Sequence, residues 1–484
     1  MNRRKLHLIG IDAAPLWLIH KLSRFKGMEN FRKLLTAGLI SEMESTLPPM
    51  TGAAWPSIYT GLPPGEHGVP DFFEMRKDYT PDLAEYDSVS CPPFWKNIAD
   101  SGFRCLIITP AMETRLPGYR NIDLITGFPL KAKTESSFLR RLMKKHGFYG
   151  EPEIEKDMKE GRMDVEEGAA IFTKSVHDRA ELAMEAIGSE KYDFTYVCFT
   201  ETDRIQHFVM NMKEMERLLL PIYMEIDKYI GFVMERAGRR GEGIIIVSDH
   251  GAQPIKEKFL INSWLLEKGY ITLKSRQSED GTEKGRLPYE LREMLLKTGL
   301  RKTYDRLPHA AKRAVFSSAG RLFSGGGGRY ARMHLFDFNM EKTKAFAAIS
   351  NINVCTIWIN DKRFEQGFVD DTEKEKIKRV LKAELQKLRD PEGKKLIVSV
   401  YDAQEYYKGT RKFMAPDLFA EAGEGYTIDI FNFSESSRFM KPEAPKRGDH
   451  TRQGIFGCYP KGLARGNRLG ILDIAEFISK NYRR

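Results

Sequence analysis

Carboxylates and imidazoles recur in this 484-residue chain at points where apolar runs end. Asp12 closes Leu8-Ile9-Gly10-Ile11, at the carboxyl edge of a predicted first strand, the edge where open α/β sheets bind ligands; an aspartate there serves equally well to cap the next turn. Asp203 and His207 stand four residues apart in Glu201-Thr202-Asp203-Arg204-Ile205-Gln206-His207. On a helix they share one face, a spacing that fits a metal ion or an ordinary intrahelical pair. Asp249 and His250 follow Ile244-Ile245-Ile246-Val247-Ser248, and a buried strand rarely ends in an adjacent carboxylate and imidazole without a chemical reason. His450, in Gly448-Asp449-His450-Thr451, occupies a polar stretch and by itself reads as a loop histidine. Thr51, in Pro48-Pro49-Met50-Thr51-Gly52-Ala53-Ala54-Trp55, precedes a predicted short helix toward Tyr59. It is an N-cap, or a hydroxyl beside the unpaired N–H groups that an anion seeks. Together Asp12, Asp203, His207, Asp249, His250 and His450 form an oxygen and nitrogen donor set without thiolates, suited to zinc or manganese.

Apolar runs at Leu6 to Asp12, Cys105 to Thr109, Phe194 to Thr200 and Gly243 to Asp249 predict the strands that must carry these groups, with helical patterns at Leu16 to Leu35, Ala180 to Ile187 and Ile222 to Met234. The alternation predicts a largely parallel sheet covered by helices. From about Thr272 to Tyr330 the composition turns to Lys, Arg, Ser and Gly, before strand patterns return at Ala345 to Ile349 and Val354 to Ile359. This predicts a catalytic domain over 1–271 and 345–484, interrupted by a basic, mainly helical subdomain or cap at 272–344. Leu291 to Phe323 within it reads as a solvated helical face, with a lid or membrane-surface role as the sharper alternative. Gly325 to Gly328 lacks the Gly-Lys-Ser/Thr of a nucleotide loop and reads as a linker.

A hydrophobic content of 41% and aromatic content of 11% allow a substantial core, and no segment has the roughly 20 apolar residues that span a bilayer. The charged start runs directly into a short strand, without the pattern of a signal peptide, so a cytoplasmic location is expected. Five dispersed cysteines without a CxxC suggest neither a disulfide framework nor a cysteine zinc site. A net charge of +10 favours an anionic partner, yet no nucleic-acid signature accompanies it, and specific nucleic acid binding is not expected.

At these residues the chain resembles the alkaline phosphatase superfamily, in its type I phosphodiesterase and nucleotide pyrophosphatase branch. The resemblance spans Leu6 to Val69, Tyr192 to Gly251 and the region of His450, and includes Thr51 ahead of Thr60-Gly61 and the turn Gly65-Glu66-His67-Gly68. It implies an alkaline-phosphatase-like three-layer α/β/α sandwich with a mostly parallel central sheet. It also implies Thr51 as nucleophile and a pair of divalent metals: one on Asp203, His207 and His450, the other on Asp12, Asp249, His250 and the Thr51 oxygen. His67 lies outside that ligand pattern, and the Gly52 N–H would face the phosphoryl oxygens. The sulfatase branch needs a Cys/Ser-x-Pro-x-Arg element that Thr51-Gly52-Ala53-Ala54-Trp55 lacks. One departure stands out: Phe72, beside Asp71, occupies the place of a phosphate-binding asparagine. The expected activity is metal-dependent hydrolysis of phosphodiester or pyrophosphate bonds in a phosphorylated small molecule, a nucleotide or lipid headgroup among them, through a phosphothreonine. Phosphomonoester hydrolysis or phosphoryl mutation by the same cradle is one alternative, and a non-catalytic anion-binding protein another.

Overall fold

In the computed structural model the apolar run Leu6–Ile11 forms strand β1 with every residue buried. A strand covered on both faces has no reason to alternate polar and apolar residues, which is how strands read in a parallel sheet between helical layers. The structure describes residues 5–84, 89, 91–113, 120–129, 131–209, 211–274, 331–332, 335–350, 352–407, 409, 414–434, 437–442, 447–464 and 469–483. In chain order there follow β2 (Leu39–Glu44), helix α1 (Thr51–Thr60), β3 (Cys105–Ile108), β4 (Ile122–Ile125), α2 (Val165–Gly188), β5 (Phe194–Phe199), α3 (Glu201–Gln206), α4 (Leu220–Arg240), β6 (Gly243–Val247) and β7 (Gly251–Pro254). Then come β8 (Ala345–Ala348), β9 (Val354–Ile359), α5 (Asp371–Lys387), β10 (Ile397–Asp402), β11 (Leu418–Ala422), β12 (Gly448–Thr451) and β13 (Gln453–Tyr459).

Seven strands form the central sheet in the order β2-β13-β6-β1-β5-β3-β4. Strands β6, β1, β5, β3 and β4 run parallel, while β13 is antiparallel to its neighbours β6 and β2. Ile11 pairs with Phe199, and Gly10 with Val247, so the chain leaves β1, β5 and β6 at one level, and Asp12, Thr200 and Ser248 emerge along a single edge. Alternate strand residues feed two cores. Ile9, Ile11, Val197 and Ile246 pack with α2 and α4, whereas Leu8, Tyr196 and Ile245 pack with α1 and the C-terminal helix Asp473–Ser479. The three layers expected from the sequence are present.

The stretch Leu16 to Leu35 is two helices rather than one, Leu16–Leu22 and Glu29–Ala37, with the break at Gly27, whose φ of 89° no helix accommodates. Residues 345–422, read from sequence as continuing the catalytic domain, build a separate antiparallel sheet in the order β8-β9-β11-β10. That sheet, α5 and the helix Ile261–Glu267 share their own apolar core, including Trp264, Phe346, Trp358 and Leu381. Residues 275–330 and 333–334 lie outside the described residues, and with them most of the expected 272–344 insertion, including Leu291 to Phe323 and the glycine run. Among the described residues, no helix is long and apolar enough to cross a membrane.

Candidate active site

The residues Asp12, Asp249 and His250 beyond strand ends meet Asp203 of α3 and His207, which caps that helix, at the carboxyl edge of the sheet. His450 arrives from β12, which pairs antiparallel with β7 and sets His450 opposite Ala252. It is therefore a strand residue, and its apparent isolation in a polar stretch is an effect of sequence distance alone. Asp12, Asp249, His250 and His450 are buried; Asp203 and His207 keep side-chain exposures of 14% and 24%, so the site opens on the α3 side.

Each of the three converging histidines is oriented by a backbone carbonyl. His450 Nδ1 donates to Pro49 O at 2.9 Å, His250 Nδ1 to Gly251 O at 3.1 Å and His207 Nδ1 to Gly448 O at 3.2 Å. A carbonyl only accepts, so the Nδ1 atoms carry the protons and the Nε2 lone pairs point inward, the tautomer a metal requires. His450 Nε2 lies 3.3 Å from His207 Nε2 and 3.3 Å from an Asp203 oxygen, and His207 Nε2 lies 3.5 Å from the other Asp203 oxygen. His250 Nε2 lies 3.5 Å from Asp12, 3.3 Å from Asp249 and 3.2 Å from Thr51 Oγ1. Two nitrogen ligands about 2.0–2.1 Å from a tetrahedral zinc stand about 3.3 Å apart, so these edges have the size of metal coordination shells. Asp12 Oδ1 and Asp249 Oδ2 are buried and receive no hydrogen bond. The residues fit a pair of divalent ions. His250 stands at the join, because its ligand atom lies within 4.8 Å of those of Asp203 and His450 as well as those of Asp12 and Asp249.

The charges agree with this. Burial, then the neighbouring Asp249 and Asp203, raises the Asp12 carboxyl well above the carboxylate range; burial and Asp203 push Asp249 up to about 8. Burial works the same way on Asp203, but the His207 and His450 rings beside it hold that carboxyl well below its usual range. Burial and His450 lower His250 to about 4, which keeps its ring neutral. Three carboxylates packed this closely call for cations.

Thr51 is the first residue of α1, and the cap position belongs to Met50, whose side chain caps nothing; the N-cap role for Thr51 is not observed. Ala53 and Ala54 close on Met50 O at 2.9 and 2.8 Å, and Gly52 follows Thr51 in the first turn, where backbone N–H groups have no intrahelical partner. One turn along α1, Trp55 Nε1 donates to Asp12 Oδ2 at 3.0 Å and ties α1 to the end of β1. Sequence reading missed Trp55, although Gly10 carries its signal. A Cβ at Gly10 would lie 2.7 Å from the Trp55 ring, so the strand gives up a side chain to admit the indole. Ser248 was missed as well: its hydroxyl donates to His250 O at 2.5 Å and accepts from the Ala14 N–H at 2.8 Å. His67 has the opposite tautomer from the three inward rings. Its Nδ1 accepts from the Val69 N–H at 3.2 Å, so Nε2 carries the proton and donates to Ser57 Oγ at 3.0 Å. Phe72 packs edge-on against Phe128 at 6.1 Å, and Asp71 accepts from Ser350 Oγ at 2.6 Å and from the Phe72 N–H at 2.6 Å.

Residues 6–430 match the family described as type I phosphodiesterase / nucleotide pyrophosphatase. The chain belongs to that family. The match ends before His450, which the β7–β12 pairing returns to the rest of the cluster. No curated protein sequence matches the chain. Among solved structures, phosphonoacetate hydrolase from Sinorhizobium meliloti 1021 in complex with phosphonoformate is similar at a TM-score of 0.57 and 13% identity, over 99% of this chain and 96% of that one. The same enzyme with phosphonoacetate gives a TM-score of 0.55 at 13% identity over the same shares of 99% and 96%. Murine ectonucleotide pyrophosphatase / phosphodiesterase 5 gives 0.47 at 12% identity, over 99% of this chain and 95% of that one. The likeness to phosphonoacetate hydrolase shows a shared α/β fold, and the family match makes the chain an enzyme of the phosphodiesterase and pyrophosphatase hydrolase type.

Proposed function

We propose that this protein hydrolyses phosphodiester or pyrophosphate bonds of a small phosphorylated substrate, with Thr51 as nucleophile and two divalent ions, zinc or manganese, held by Asp203, His207 and His450 and by Asp12, Asp249, His250 and Thr51. The observation that carries this reading is the convergence of three Nε2 lone pairs and two undonated carboxylate oxygens, with the Thr51 hydroxyl 3.2 Å from His250 Nε2. Bound divalent ions supply positive charge that favours the ionised hydroxyl and offsets the negative charge growing on the phosphoryl and leaving oxygens.

The chain does the positioning. Helix α1 presents Thr51 Oγ1 at its open start, with the Gly52 N–H beside it for a non-bridging oxygen. In the first half-reaction a bond forms between Thr51 Oγ and phosphorus while the bond from phosphorus to the leaving oxygen breaks, and the proton lost by the Thr51 hydroxyl is balanced by one taken up by the leaving oxygen from solvent. Water then opens the phosphothreonine ester, releasing the phosphate product and restoring the hydroxyl, so one water is consumed per turnover. Backbone carbonyls hold the imidazoles in fixed tautomers throughout, so no histidine must reorient between steps.

The test pairs aryl phosphate diesters with monoesters, using wild type and Thr51→Ala under zinc, manganese or chelator. Diester turnover that needs metal and disappears in the variant is expected. Preference for monoesters would move the assignment to a phosphatase, and turnover indifferent to chelator or to Thr51 would overturn it.

A further inference from the structure

The two groups of ligands sit on different elements, Asp203 on α3 and His207 capping its end, Asp12, Asp249 and His250 beyond β1 and β6, so their spacing depends on what joins α3 to the Asp12 loop. Helix α3 has six residues and no side-chain cap at its start, too little to hold its place by local bonding. Two buried side chains bind it across. Thr202 Oγ1 donates to Asp12 O at 2.6 Å, and Gln206 Nε2 donates to Ala13 O at 2.8 Å and to Thr202 O at 2.8 Å. Thr202 is 0% exposed and Gln206 1%, so water does not compete for either bond. Both pairs are four residues apart: Asp203 and His207 make the stripe that faces the site, Thr202 and Gln206 the neighbouring stripe that grips the Asp12–Ala13 backbone.

Ala13 supplies a second, independent sign. Its φ is 52°, a left-handed conformation that is strained for a residue with a Cβ and persists where surrounding bonds over-determine it. Its N–H donates to Asp249 Oδ1 at 3.3 Å while its carbonyl takes the Gln206 bond, so the strained residue is pinned between the two ligand groups.

We propose that Thr202 and Gln206 are positioning residues that set the distance between the two metal ions, a reading that rests on the metal pair inferred above. The full-length protein loaded with Mn2+ reads that distance directly, because the electron paramagnetic resonance spectrum of a close manganese pair is spin-coupled. Thr202→Val and Gln206→Met should still bind two Mn2+ by equilibrium dialysis, but with the coupled signal shifted toward that of separate ions. Diester kcat should fall about 10- to 100-fold, as misplacement by about 1 Å does, while KM stays within about threefold. Thr202→Ser, which keeps the hydroxyl, should restore both the coupled spectrum and kcat. Unchanged coupling and kcat in Thr202→Val and Gln206→Met would overturn the proposal, as would failure of serine to restore them. If the valine variant does not fold, Gln206→Met alone decides. A wild type without a coupled pair would instead overturn the metal-pair reading itself, before any variant is compared.

Discussion

Hydrogen bonds distinguish His207, His250 and His450 from His67, which lies beside α1. His207, His250 and His450 donate from Nδ1 to carbonyls and turn Nε2 inward, whereas His67 accepts at Nδ1 and keeps its proton on Nε2. Burial lowers His67 to about 3, so the folded chain holds it neutral while the unfolded chain takes up a proton below about 6.5. Stability contributed by this residue is intact above about pH 6.5 and is lost as pH falls from there toward 3, at about 1.4 kcal/mol per pH unit. Replacing His67 by Asn, which keeps one acceptor and one donor, should flatten that part of the stability profile in denaturant titrations between pH 6.5 and 4.5. An equal slope in both proteins would count against the buried neutral ring.

At the scale of elements, the central sheet fixes Asp12 and Asp249 on rigid strand ends, and the short α3 depends on its neighbours. The second sheet touches the nucleophile lobe through Asp71 and Ser350, at the end of β8 where Ile349 has a φ of 72°. A β-branched residue in the left-handed region is a true outlier, and the Ser350 bond helps hold the turn there. Burial pushes Asp71 up to about 6. The folded chain thus favours the protonated acid, and stability falls as pH rises from about 3.8 through 6, the full cost remaining above that. Asp71→Asn retains an acceptor for the Phe72 N–H and offers Ser350 a donor. It should raise stability at pH 7.5 by up to about 3 kcal/mol, an increment that vanishes below about pH 4. Loss of stability in the variant at pH 7.5 would show that the carboxylate is needed charged.

The whole molecule carries a net charge of +10, yet the carboxyl edge of its sheet gathers three carboxylates, Asp12 and Asp249 buried and Asp203 nearly so. Favourable net charge draws in an anionic substrate, whereas the local carboxylates need cations before such a substrate can settle. Cation binding should therefore stabilise the fold as well as activate it. Zinc or manganese at about 100 times its dissociation constant adds about 2.7 kcal/mol to the folded state. Chelator-treated protein should melt lower than metal-loaded protein, with the difference growing with metal concentration. Coincident melting curves would mean that the cluster tolerates its own repulsion without ions.

Strand identity and donor types were legible in the sequence because each is local. Leu8 to Ile11 and Ile244 to Val247 are apolar in unbroken runs, as strands buried on both faces must be, and each ends in a carboxylate. The Asp203 and His207 pair reads directly from helical spacing, and the family resemblance carried Thr51. Tertiary structure decided the rest. His450 joins the site through a strand pairing with β7, a contact that no local pattern encodes. The Trp55 bond to Asp12 depends on a missing side chain at Gly10, and the tautomers depend on carbonyls of Pro49, Gly251 and Gly448. Residues 345–422 form their own sheet although their strand patterns carry no mark of which sheet they join; that choice is made by the surfaces left to bury once the first sheet has closed.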